Sequence, residues 1–149
     1  MRAIRQVLSW VLSLFLIAIL LHWTVHPWPQ PDPGQVIFYD LPGEHILFSI
    51  LALKSGYEWF EPTGRVVFGV FELLAALMIL IPPWRKSGAK LAVVIFGSLI
   101  ALHLSPWLGI ELQLPGNTGS DDGSVFYLTV AAITAAILLI NLHPARLSR

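Results

Sequence analysis

Residues 60–82 read FEPTGRVVFGVFELLAALMILIP. At 1.5 Å per residue, an apolar helix of this length crosses the ~30 Å hydrocarbon core of a bilayer. Yet Glu72 stands near its middle and Arg65 two helical turns earlier. If the helix enters hydrocarbon at Thr63, Glu72 lies about 13 Å down, near the midplane, and Arg65 sits at the outer boundary. Glu61, Arg65, Phe68, Gly69 and Glu72 recur at spacings close to three and four, which places them on one face. Ionisable groups in hydrocarbon face a bundle interior or a wet cavity. One helix has no interior, so this stretch demands partner spans.

The rest of the chain supplies them. Of 149 residues, 56% are hydrophobic and 12% charged, against about a quarter charged in a soluble domain. The apolar residues cluster into spans at about residues 7–25, 63–82, 88–105 and 125–142, predicting an all-α polytopic membrane protein, a single domain built as a four-helix transmembrane bundle. Arg2 and Arg5 before the first span also suit a signal peptide. The apolar run is too long for one, and residues 22–27 offer no small-x-small cleavage site, so an uncleaved anchor is expected. Pro27, Pro29, Pro31, Pro33 and Pro42 then predict an extended, polyproline-like loop. Residues 44–54, EHILFSILALK, are too few to span and predict a short interfacial or re-entrant helix over the bundle mouth. Pro62 opens the second span and Pro82–Pro83 close it, while Pro106 and Pro144 close the third and fourth. Ala89, Ala92, Gly97, Ser98 and Ala101, with Ala131, Ala132, Ala135 and Ala136, allow close helix contact.

Four spans place both termini on one side. Arg2, Arg5, Arg85, Lys86, Lys90, Arg146 and Arg149 fall there, leaving Lys54 and Arg65 as the only other cations. Excess Lys and Arg marks the cytoplasmic side, so both termini are expected in the cytoplasm of a cell bounded by an inner membrane. All nine acids lie in the outer loops or within the second span. No cysteine is present, which excludes disulfides, thiolate-bound metal and thiol redox chemistry.

The candidate chemistry gathers at the outer half. Arg65 and Glu72 are about 10.5 Å apart along the helix axis, so pairing requires an inward-folded Arg65, a water or a third residue. His103, just before the Pro106 break, is the expected third residue. Asp122 follows in the adjoining loop, and the pocket candidates are Glu61, Arg65, Glu72, His103 and Asp122. Glu72 reads equally as an interhelical hydrogen-bonding residue holding the bundle in register. His22 and His26, at i and i+4, could ligate a metal if His45, His103 or a loop acid completed the set; an interfacial polar role needs no metal. In Asp121–Asp122–Gly123–Ser124, a turn with Ser124 as N-cap is expected, since calcium-loop spacing is missing. No phosphate loop, dinucleotide fingerprint, nucleophile elbow or HExxH motif occurs, and the few basic residues give no case for nucleic acid.

Phe60–Glu61–Pro62, Gly64–Arg65, Gly69 and Glu72–Leu73 resemble the second span of the DoxX-like family of small four-helix membrane proteins. His103–Leu104, Leu108–Gly109–Ile110, Asp122–Gly123 and Phe126 resemble its third-span exit and fourth-span entry. The resemblance covers residues 60–142 and implies a four-helix bundle with cytoplasmic ends. It implies mixed functions too, among them small membrane subunits of quinone-linked oxidoreductases, but no transferable catalytic residue.

Three functions follow as expectations. The first is a non-catalytic subunit or accessory protein, of a quinone-linked redox complex, with an outward-facing polar pocket for a partner loop, a lipid headgroup or a quinone. Its partners would be the bilayer, other membrane subunits or copies of itself. The second is a small oxidoreductase or quinone-binding carrier using Glu72, Arg65 and His103. The third is a proton-coupled transporter titrating at Glu72, against which stand the small number of helices and the lack of an inverted repeat.

Overall fold

The computed structural model describes residues 2–25, 34–113 and 120–142. Its helices are α1 (Arg2–Thr24), α2 (Ile46–Ser55), α3 (Thr63–Leu80), α4 (Arg85–His103) and α5 (Ser124–Leu142), with one 3-10 turn at Glu58–Phe60. Four of them, all but α2, are long and apolar enough to cross a membrane. They close a ring in which α1 packs on α3, α3 on α4, α4 on α5 and α5 on α1. This is the expected four-helix bundle of an integral membrane protein. Among the described residues there is no strand, only an isolated bridge between Gln113 and Ser120.

The side chains sort in the sense a bilayer requires. On α3 the buried face is Gly64, Arg65, Gly69, Glu72, Ala75, Ala76 and Ile79. The exposed face carries Val66, Val70, Phe71, Leu74 and Leu77. Large apolar groups thus point outward, while small and polar ones point inward. In water that would be unstable; against lipid tails it costs nothing, and close packing of small residues supplies the attraction. A close backbone contact joins α3 to α4, where a Cβ built on Gly88 would lie 2.7 Å from the Ile79 backbone nitrogen. Only glycine fits there.

The helix limits differ from the expected spans in informative ways. α1 begins at Arg2 and not near residue 7. α3 stops at Leu80 and α4 starts at Arg85, because the Pro82–Pro83–Trp84 turn is tight and the Gly88 amide already donates to Trp84 O at 2.9 Å. Arg85 was counted among the cytoplasmic cations, with no partner foreseen for it. Instead it is buried, with Nε donating to Ile79 O at 3.0 Å and the guanidinium 3.9 Å from the Trp10 ring centroid. It satisfies the Ile79 carbonyl in the last turn of α3 and stacks on Trp10 of α1, a use of a C-terminal cation that the helix dipole favours.

The segment between α1 and α3, the outer segment of the expected topology, also departs from expectation. Residues 26–33, with most of the prolines, lie outside the described residues, but 34–45 are compact turns and not an extended coil. Asp40 closes them by accepting from Gly34 N at 2.7 Å and Val36 N at 3.0 Å. Ile37 N and Phe38 N donate to the last carbonyls of α1, Trp23 O and Thr24 O, both at 3.0 Å. α2 follows as the expected short helix, burying Leu47, Phe48 and Leu51 while Leu53, Tyr57 and Trp59 stay exposed.

Candidate functional site

Arg65 turns away from Glu72. Its Nε donates to both carboxylate oxygens of Glu61, at 3.0 and 2.9 Å. Nη1 donates to Ile37 O and to Asp40 O at 3.2 Å, and Nη2 reaches Leu41 O at 3.4 Å. Glu61 Oε1 also accepts from Gly43 N at 2.9 Å. The expected meeting of Arg65 and Glu72 through His103 is therefore not what forms. Side chains on a helix lean towards its N-terminus, and above Arg65 lies a carboxylate with a cluster of loop carbonyls. The guanidinium fork, with its five donors, is consumed in clipping the outer segment to α3. Gly69 permits the fit: a Cβ there would lie 2.5 Å from Ile37 Cγ2.

Glu72 is thereby left without a cation. It is 1% exposed, and it makes no hydrogen bond among the described residues; its Oε2 is enclosed without a partner. An unmet buried acceptor costs about 1–3 kcal/mol, more if charged. The residue does not face lipid. It lines a cavity of about 200 Å³ shared with His22 and Trp23 of α1, residues 34–37 and 45–48 of the outer segment, Phe68 of α3, Leu99 of α4, and Leu112, Asp121, Ser124 and Val125. The rim residues His22, Gln35 and Ser124 are exposed. The walls are mostly apolar, with Trp23, Phe48 and Phe68 the aromatic members. A mainly apolar hollow with a few converging polar groups is the usual form of a small-molecule site. The expectation was a polar pocket opening outward with Glu72 at its floor; the cavity found is mainly apolar, with Glu72 among its lining residues.

His45 lines the same cavity and is buried, with Nδ1 unpartnered. Burial first, and the positive charge of Arg65 second, pull its pKa from 6.5 down to about 3, so the ring is a neutral imidazole at physiological pH. It stacks edge-on against Phe48 at 5.2 Å. His103 was expected beside Glu72 and is not among the cavity residues. It is 1% exposed. Its Nδ1 lies 2.8 Å from Gly109 O; a carbonyl only accepts, so Nδ1 carries the proton and Nε2 is the atom left unpartnered. The ring packs edge-on against Phe126 at 5.7 Å.

Asp122 is likewise displaced from the site. It is exposed and accepts from Ser120 Oγ at 3.2 Å. Its neighbour Asp121 faces inward and accepts from Leu112 N at 2.6 Å, Gly123 N at 3.1 Å and Val125 N at 3.3 Å. Asp121, and not Ser124, therefore caps α5. The reason is backbone geometry: Asp122 has φ 52° and Gly123 φ 74°, and this left-handed pair swings one of two adjacent carboxylates out and the other in. Of the metal candidates, His22 and His45 both line the cavity, and His26 lies outside the described residues. Among the described residues no group of three or more His, Asp or Glu could hold a metal ion.

Three structural positions escaped the sequence reading. Asp40 and Asp121 looked like ordinary loop acids, and Arg85 like a topology signal. Gly34 six residues before Asp40 and Gly123 two after Asp121 were the available hints, since carboxylate-capped turns favour such neighbours. No protein-family model, no curated protein and no solved structure matches the chain.

Proposed function

We propose that this chain is a DoxX-like membrane protein serving as a non-catalytic subunit or accessory protein, of a quinone-linked redox complex, with an outward-facing pocket that binds a small ligand or partner group. In this reading it resides in the inner membrane with both termini cytoplasmic. What carries it is the cavity of about 200 Å³ that holds Glu72, Oε2 unpartnered, under the outer segment. The polar groups that the enzyme reading would use are committed elsewhere, while the neutral His45 ring shares the cavity with Nδ1 unpartnered. Arg65 is bound to Glu61 and loop carbonyls, Asp121 to three backbone amides, and His103 stands apart from the cavity. A carboxyl in an apolar recess suits binding; an oxidoreductase that holds its substrate with Arg65 and relays protons through His103 would need those residues released.

Purification of the full chain in mild detergent, followed by size analysis and identification of co-eluting proteins, tests the assignment. Co-elution with the subunits of a membrane redox enzyme is expected. A clean monomer with no companion, together with turnover of a quinone by that monomer, would overturn it in favour of the enzyme.

A further inference from the structure

The cavity's own lining restricts what it can hold. Among the described lining residues there are two carboxyl side chains, Glu72 and Asp121, two histidines, and no Lys or Arg. Residues 26–33 and 114–119, which adjoin the rim in sequence, contain no Lys or Arg either. The nearest buried cation, Arg65, is felt at His45 but is matched by Glu61 at 2.9 Å. Asp121 is answered by backbone amides. Glu72 alone presents an unanswered oxygen. An anion entering here would meet carboxylates with no compensating charge, whereas a donor-bearing cation would supply what Glu72 lacks. Trp23, Phe48 and Phe68 in the lining add the second element of a cation site, because ring quadrupoles attract ammonium groups and offset part of the cost of removing their water. The outer segments carry Asp32, Asp40, Glu44, Glu58, Glu61, Glu111, Asp121 and Asp122 against Lys54 and Arg65, an imbalance that concentrates cations at the mouth.

We infer that the cavity binds a monovalent organic cation with a compact apolar body, an aromatic or branched alkyl amine, whose ammonium pairs with Glu72 while its body lies against Trp23, Phe48 and Phe68. The inference rests on the pocket reading above and names the ligand class for it. The volume of about 200 Å³ exceeds the ~150 Å³ that accommodates benzene, so one ring with a short ammonium arm fits and a long-tailed lipid does not fit entirely inside.

The test is calorimetric titration of the full chain in lipid nanodiscs, blanked against empty discs, with four probes of similar size: phenethylammonium, 2-phenylethanol, phenylacetate and a tail-less benzoquinone. The cation is expected to bind at least about tenfold more tightly than the alcohol, with phenylacetate weakest. Glu72→Gln should remove that advantage and leave alcohol binding unchanged within about twofold. Glu72→Asp should retain much of it, and Val125→Trp, which fills the hollow, should abolish all binding. Equal or tighter binding of the alcohol, the acid or the quinone overturns the inference, as does a cation advantage that survives Glu72→Gln. Should Glu72→Gln fail to assemble, Glu72→Asp and Val125→Trp decide: an advantage kept in the first and lost in the second supports the inference, and any other pattern overturns it. Quinone bound in the unmodified chain and lost in Val125→Trp, with no cation bound, removes the cation class but keeps the pocket. No heat from any probe removes both.

Discussion

Replacing Arg65 by Leu should detach the outer segment from the bundle. The Arg65 and Glu61 side chains are 3% and 5% exposed, so the ion pair is buried and not a surface contact. Removing one partner of such a pair costs about 3–5 kcal/mol, because the other is stranded without water. Here the loss is compounded: Ile37 O, Asp40 O and Leu41 O lose a donor together. Summing every hydrogen bond separately would exceed that range, yet the carbonyls can recover water once the loop lifts, so about 3–5 kcal/mol is the expected total. The assay is reversible unfolding in mixed micelles of rising SDS fraction, with limited proteolysis of residues 34–45 alongside. Glu61→Gln alone should cost less, since a neutral amide still accepts from Arg65. The double variant Arg65→Leu with Glu61→Gln should be destabilised by at least about 1 kcal/mol less than the sum of the singles, because residues in one network couple. Arg65→Lys should recover only part of the loss, a point charge being unable to serve the carboxylate and three carbonyls at once. An Arg65→Leu cost below about 1 kcal/mol, additive singles, or unchanged protection of 34–45 would refute the clip.

Three further outcomes are expected. His45 has a pKa of about 3 in the fold and near 6.5 when unfolded; the unfolded chain therefore binds more protons between those values, and stability should fall as pH drops through 6.5 towards 3. The loss at pH 5 is about 2 kcal/mol, measured as the difference in micellar unfolding between the unmodified chain and His45→Gln, which should lack it. Gly88→Ala should cost about 1–3 kcal/mol by forcing α4 off the Ile79 backbone, read as a lowered melting temperature in detergent. Asp121→Asn should cost about 1–2 kcal/mol and raise amide exchange at Leu112 and Val125, whereas Asp122→Asn should change neither.

Much of the architecture was legible in the residues because the governing forces are local or additive. Hydrocarbon rewards uninterrupted apolar runs, so the four spans and the short α2 can be counted from sequence. The buried face of α3 was equally plain, since Arg65, Gly69 and Glu72 follow helical spacing whatever packs against them. Pairings across the fold were not legible. An arginine stem can swing towards either end of its helix; where Arg65 went was decided by the carbonyls of residues 37, 40 and 41, whose position depends on Asp40 closing its turns. Between adjacent aspartates, sequence cannot choose the one that faces inward, because the choice hangs on two left-handed backbone angles. That Arg85 lies within the bundle was hidden for the same reason. What the chain alone determined is the bundle and the face bearing its carboxyl; what tertiary structure decided is that Arg65 is taken elsewhere, leaving Glu72 in a hollow with no cation to answer it.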